Sequence, residues 1–342
     1  MLTARFTPYR LDFVFEAITS RERMRHKDTY FVEVTDTATG AVGVGECALF
    51  RGLSADDLPD YEQQLARLCS NPASWQECTL PSLRFGFETA FRALAGESAS
   101  SWSKGECGIP INGLVWMGDK ATMAARITEK LNQGFRVIKL KIGGIALDQE
   151  LELLAAMRRR FSASDLEIRL DANGSLSPSA ALADLGRLAK YDIHSIEQPL
   201  PAGLREETAA LCRKSPIPIA LDEELIGYRT DNEAAVLLDA IQPQYIILKP
   251  ALMGGTEAAD TYIRLAEQRG IGWWATSALE SNVGLFAIAS WLATKKLTMP
   301  QGLGTGMLYS NNFPSSMEIR GGELWCSSCA TFINPDNLPW RV

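Results

Sequence analysis

Charged side chains stand inside or at the ends of apolar runs at five places from residue 137 onward. The runs are Val137-Ile138-Lys139-Leu140-Lys141-Ile142-Gly143-Gly144, Ile168-Arg169-Leu170-Asp171-Ala172-Asn173-Gly174, Ile193-His194-Ser195-Ile196-Glu197-Gln198-Pro199, Ile217-Pro218-Ile219-Ala220-Leu221-Asp222-Glu223-Glu224 and Ile246-Ile247-Leu248-Lys249-Pro250. An unpaired buried charge costs several kcal/mol, so such groups must pair, neutralise or bind an ion. Asp171, Glu197 and Asp222 come one per run and would repel one another in a shared cavity. A hard divalent cation resolves that repulsion, and an all-oxygen donor set with room for water and substrate suits Mg2+, with Mn2+ as a substitute, better than zinc or copper. Lys139 and Lys141 lie two apart and share a strand face, as do Asp171 and Asn173. A lysine beside another lysine and Mg2+ is expected to lose proton affinity and serve as a general base. The chemistry so described is abstraction of a proton next to a metal-held carboxylate.

Such a set needs a frame that brings the ends of several strands together. From about residue 110, apolar runs recur every 22–33 residues, at Ile111–Trp116, Val137–Ile142, Glu167–Leu170, His194–Glu197, Ile217–Leu221, Tyr245–Leu248, Gly272–Thr276 and near Pro300–Leu303. Amphipathic stretches separate them. Asp119–Gln133 stops at Gly134, Asp148–Phe161 follows, Ser177-Pro178 opens a helix expected to run to Tyr191, and Thr256–Arg269 stops at Gly270. Strands without clean alternation suit a parallel sheet buried on both faces. Eight of them with seven helices between predict a closed β/α barrel, whose sites lie at the strands' C-terminal ends. A Gly-x-Gly-x-x-Gly opening the first unit is missing, which weakens a dinucleotide-binding sheet.

The first hundred residues differ in texture. Residues 3–16, Thr29–Thr35 and Ala41–Ala48 predict an antiparallel meander, followed by helices near Asp57–Cys69 and Leu83–Ala95. The expected division is an α+β segment over residues 1–100 and a barrel over residues 101–342. The run Thr19–Asp28, rich in cations and including Arg25, lies between two predicted strands.

The 342 residues are 46% hydrophobic and 22% charged, a globular balance, with a net charge of −7. An acidic chain without a basic run is a poor binder of nucleic acid. Apolar stretches long enough for a membrane span are absent, and the first residues lack the core of a secretion signal. Seven scattered cysteines, including the pair Cys326 and Cys329, read as reduced thiols. The expectation is a cytoplasmic enzyme of a small carboxylate, with no nucleic-acid or membrane partner. His26 reads as a surface residue, and His194 as structural by strand parity.

As an ordered set, Gly43-Val44-Gly45-Glu46, Lys-Leu-Lys, Asp-Ala-Asn-Gly, Ile-Glu-Gln-Pro, Leu-Asp-Glu and Leu-Lys-Pro resemble the enolase superfamily, in the branch containing muconate lactonising enzyme. The stretch Thr276-Ser277-Ala278-Leu279-Glu280-Ser281-Asn282-Val283-Gly284 most resembles the o-succinylbenzoate synthases of menaquinone biosynthesis. The resemblance spans nearly the whole chain. It implies a modified (β/α)7β TIM-like barrel under an N-terminal α+β capping domain (residues 1–100) to which the C-terminal segment returns, with Thr19–Asp28 as the candidate substrate lid; metal ligation by Asp171, Glu197 and Asp222; and proton transfer by Lys141. It implies further that Lys139 tunes Lys141, and that Lys249 stabilises the anion from the opposite face. The implied reaction is syn-dehydration of 2-succinyl-6-hydroxy-2,4-cyclohexadiene-1-carboxylate. Asn173, Ser277, Gly304 and Arg25 are the expected substrate contacts; Gly304 belongs to Gly302–Gly306, whose glycines would let backbone approach a ligand. Related reactions are N-acylamino acid racemisation, dipeptide epimerisation and muconate cycloisomerisation. The Asp-x-Asp expected of dipeptide epimerases is missing from Pro300–Leu308.

Overall fold

The structure is a computed structural model that describes residues 1–18, 23–97, 100–227, 229–327 and 337–341. Three antiparallel strands open the chain: β1 (Leu2–Ile18), β2 (Arg23–Asp36) and β3 (Val42–Cys47), in the order β1-β2-β3. β1 and β2 are longer than the apolar alternation predicts, while β3 lies within the predicted Ala41–Ala48. The register of β1 on β2 breaks between Asp12 and Ala17, so the outer end of the hairpin pairs as a separate short unit. Helices α1 (Tyr61–Ser70) and α2 (Pro81–Leu94) close over this sheet. Phe6, Tyr30, Val32, Leu49, Tyr61, Leu65 and Phe87 form a core separate from that of the barrel.

Next come β4 (Ile109–Pro110), β5 (Gly113–Val115), α3 (Lys120–Asn132), β6 (Val137–Lys141), α4 (Leu147–Arg160), β7 (Glu167–Asp171) and α5 (Ala181–Leu188). The alternation continues through β8 (Ser195–Glu197), α6 (Arg205–Lys214), β9 (Ile219–Leu221), α7 (Asp231–Ile241), β10 (Tyr245–Leu248), α8 (Pro250–Met253), α9 (Thr256–Glu267), β11 (Gly272–Ala275) and α10 (Asn282–Leu292). Strands β5 to β11 form one parallel sheet in chain order. Gln301 bridges Ile111 and Gly302 bridges Thr276, both in parallel, so a two-residue eighth segment closes the ring. That is the enolase-like (β/α)7β arrangement expected, with the eighth strand reduced to bridges. Helix α5 begins three residues after the predicted Ser177-Pro178 start. The carbonyl of Ser177 instead closes a turn with Ala180 and Ala181.

A last hairpin, β12 (Met317–Arg320) and β13 (Glu323–Cys326), pairs with β4, and Arg341 exchanges two backbone hydrogen bonds with Phe6 of the cap. Among the described residues, no helix is long and apolar enough to cross a membrane. Thr19–Glu22 of the candidate lid and Cys329 lie outside the described residues.

The glycine motif joins the two units. A Cβ on Gly43 or Gly45 would sit 1.9 Å from the carbonyl oxygen of Ala90 or Gly86, so only glycine lets α2 cross β3 this closely. The next residue, Glu46, is fully buried and accepts hydrogen bonds from the Ser281 and Gly284 amides and from the hydroxyls of Ser281 and Thr29. A cap-domain carboxylate thus covers the exposed amides at the start of α10. Glu46→Ala is expected to lower the unfolding free energy by about 3 kcal/mol, because several buried donors lose a charged acceptor. Urea unfolding curves measure this, and an unchanged midpoint would remove Glu46 from the account.

Candidate active site

Parallel register puts the critical side chains on one level. Lys141 pairs with Asp171, and Asp171 with Glu197, across β6, β7 and β8. Period-two alternation turns Lys139 and Lys141 into the barrel while Ile138 and Leu140 pack in the apolar core. Asp222 follows β9, and Lys249 follows β10, four strand positions from β6 in the eight-membered ring. The structure therefore gathers Lys139, Lys141, Lys249, Asp171, Glu197 and Asp222 at the C-terminal end of the barrel, where strand ends from several units meet.

The six charges are interlocked; five are buried and Lys249 is half-buried. Lys141 Nζ donates to Asp171 Oδ2 at 2.8 Å and to Asn173 Oδ1 at 2.6 Å. Lys139 Nζ donates to Glu197 Oε2 at 2.9 Å and stands 3.3 Å from Asp171 Oδ2. Lys249 is bonded to Asp222. Burial pulls Lys139 and Lys249 toward the neutral form, but their carboxylate partners outweigh it and hold both above the ordinary lysine range. Burial opposes ionisation of Asp171, yet Lys141 and Lys139 hold it below the usual carboxylate range. Asp222 rises to about 6, since its burial and the Glu197 charge exceed what Lys249 returns.

Among the described residues, no three acidic, histidine or cysteine side chains already form a ligand cluster. Each carboxylate is drawn onto an ammonium instead. Glu197 Oε1 is nevertheless buried without a hydrogen-bond partner. A buried anionic oxygen left unpaired beside two further carboxylates is the donor set a hard divalent cation takes up. Gln198 positions this set from a left-handed backbone at φ 38°: its Oε1 accepts from the Asp222 and Glu224 amides.

The cavity over these groups is walled by Met24, Phe50 and Leu53 from the cap, and by Leu114, Trp116, Leu252, Thr276–Leu279 and Thr305 from the barrel. Asn173 and Ser277 line it as expected. Gly304 does not; its neighbour Thr305 does, with a buried hydroxyl that has no partner. Arg25 points away, 83% exposed and paired with Glu16, because strand alternation turns Met24 inward in its place. His26 is exposed, and His194 packs on Tyr245 below the site. Leu279 holds φ 62°, a costly backbone for leucine, pinned by its amide on Ser277 Oγ and its carbonyl under Tyr309. Trp116 has no signal in the sequence beyond core character; Leu279 and Thr305 fall inside the two stretches singled out there, Thr276–Gly284 and Gly302–Gly306, without being distinguished from their neighbours.

The profile of the enolase C-terminal domain-like family matches residues 122–328. The o-succinylbenzoate synthase of Desulfotalea psychrophila is 44% identical over 362 residues, covering 93% of this chain and 98% of that one. The crystal structure of MenC from Desulfotalea psychrophila LSv54 superposes with a TM-score of 0.85 at 41% identity, covering 95% of this chain and 99% of that one. Muconate lactonizing enzyme from Pseudomonas fluorescens, complexed with muconolactone, shares the fold at a TM-score of 0.81 and 22% identity, covering 95% of this chain and 93% of that one.

Proposed function

This chain belongs to the enolase C-terminal domain-like family, and from that membership we propose that it catalyses the o-succinylbenzoate synthase reaction. The reaction is syn-dehydration of 2-succinyl-6-hydroxy-2,4-cyclohexadiene-1-carboxylate to 2-succinylbenzoate, a step of menaquinone biosynthesis. The observation that carries the reading is 44% identity to a synthase across nearly the full length of both chains. The geometry supports it: lysines approach one cavity from opposite strands, with three carboxylates between them. The cytoplasm is the compartment proposed, in keeping with the free thiols of Cys47, Cys69, Cys78, Cys107 and Cys212.

Lys141 removes the proton on the ring carbon that bears the carboxylate. The electron pair left behind forms the new ring double bond as the neighbouring C–O bond breaks. The same ammonium returns the proton to the departing hydroxyl, which leaves as water, so both events occur on one face. Asp171 and Asn173 hold Lys141 between them through this cycle. Lys249 faces the other side of the ring and lends a positive charge without exchanging a proton. Lys139 and Lys249 stay charged beside Asp171, Glu197 and Asp222, while Lys141 enters the cycle as the neutral amine. Held by those three carboxylates, Mg2+ (or Mn2+) would supply the positive charge that fixes the substrate carboxylate and stabilises the negative charge developing there. Met24, Phe50 and Leu53 cover the ring and exclude water.

The test is turnover of the cyclohexadiene substrate. Activity is expected with Mg2+, to fall below about 1% after exhaustive chelation, and to return with Mg2+ or Mn2+. Full turnover in the chelated enzyme would overturn the metal's part. Failure to turn over this substrate, with solvent deuterium entering the α-carbon of N-succinyl amino acids, would replace dehydration by racemisation.

A further inference from the structure

We propose that Trp116 is a positioning residue that makes the orientation of Lys141 depend on the β1–β2 hairpin. The inference rests on the role proposed above for Lys141. Trp116 follows β5 directly and is 5% exposed. Lys141 Nζ lies 5.6 Å from the centroid of its ring, within the range of a cation–π contact. The ammonium is thus held on both sides. Asp171 and Asn173 take two of its protons, and the indole face meets it from the first barrel strand.

Phe15 of β1 meets the same indole, with centroids 5.9 Å apart and planes at 69°. Arg126 of α3 fixes the arrangement from outside. Its guanidinium lies 5.4 Å over Phe15 and donates to the carbonyls of Trp116 and Met117 at 2.9 and 2.7 Å. Phe15 falls inside the break in β-sheet register between Asp12 and Ala17. The outer hairpin meets the barrel through Phe15 on Trp116, Phe13 on Tyr309 and the Val14 amide, which donates to the Leu308 carbonyl at 2.9 Å. Its other strand contributes Met24 to the cavity wall. Phe15 braces the indole and the indole braces the lysine; without that edge contact Lys141 loses one of its two restraints.

The test compares steady-state kinetics of Trp116→Leu, Trp116→Phe, Phe15→Leu and the Phe15→Leu/Trp116→Leu double variant on the cyclohexadiene substrate, with thermal unfolding of each. Trp116→Leu is expected to lower kcat about ten-fold with KM within about three-fold, the loss of one desolvated cation–π contact. Trp116→Phe, which keeps a π face, is expected to recover kcat to within about three-fold of the natural chain. Phe15→Leu is expected to lower kcat by about three-fold and to add nothing in the Trp116→Leu background, since both act through the indole. Natural kcat in Trp116→Leu, no rescue by phenylalanine, or additive losses in the double variant would each overturn the proposal. If Trp116→Leu does not fold, Phe15→Leu decides alone, and an unchanged kcat there overturns it. Lys141→Ala is assayed in the same series. If that variant stays active, the role given to Lys141 has failed; if it is inactive while Trp116→Leu is normal, only the coupling has.

Discussion

Replacing Lys141 with alanine is expected to lower kcat by about 10^4-fold, or about 5.5 kcal/mol of transition-state stabilisation, while the protein still folds. The size follows from its two tasks: one ammonium both takes the ring proton and returns it to the leaving hydroxyl. Folding survives because Asp171 keeps a second cation, Lys139, at 3.3 Å. Arginine at 141 would keep the charge but cannot give up a proton at neutral pH, so it is expected to be equally inactive. Single-turnover rates measured beside far-UV circular dichroism and thermal unfolding check both halves. A folded Lys141→Ala variant with more than about a tenth of natural activity would move the proton to another group.

Glu197→Gln is expected to lower kcat by at least about 10^3-fold and to abolish stabilisation of the fold by Mg2+. The natural chain, with Mg2+ at about 100 times its dissociation constant, is expected to gain about 2.7 kcal/mol of stability; the glutamine variant should gain almost none. Glu197 is the sharpest choice because its Oε1, in the set with Asp171 and Asp222, is buried without a hydrogen-bond partner. It also holds Lys139 at 2.9 Å, so the neutral amide leaves that ammonium with Asp171 alone. Thermal melts with and without Mg2+ separate metal binding from catalysis. Equal Mg2+ stabilisation of both chains would remove Glu197 from the ligand set.

The division between what was legible in the chain and what was not follows from where each property is encoded. The barrel was written locally: unalternating apolar runs at regular spacing, separated by helices with caps and glycine stops, leave few other ways to bury that surface. The charges were legible for the same reason, since Lys141, Asp171 and Lys249 stand where an apolar run should continue and only a shared site offsets their burial. Strand parity also separated the inward lysines from their apolar neighbours.

Register and the cap were not so encoded. The level that Lys141, Asp171 and Glu197 share depends on hydrogen bonding between strands about 30 residues apart. The ring closes through two residues, Gln301 and Gly302, too few to carry a strand pattern. Arg25 and Met24 are adjacent, and only the position of the hairpin against the barrel decides which one faces the cavity. Trp116 and Thr305 are ordinary residues until neighbours from distant parts of the chain surround them. Local pattern chose the fold and its charged residues because their burial energy acts position by position; the partners of each charge came from long-range packing, which no short stretch of sequence contains.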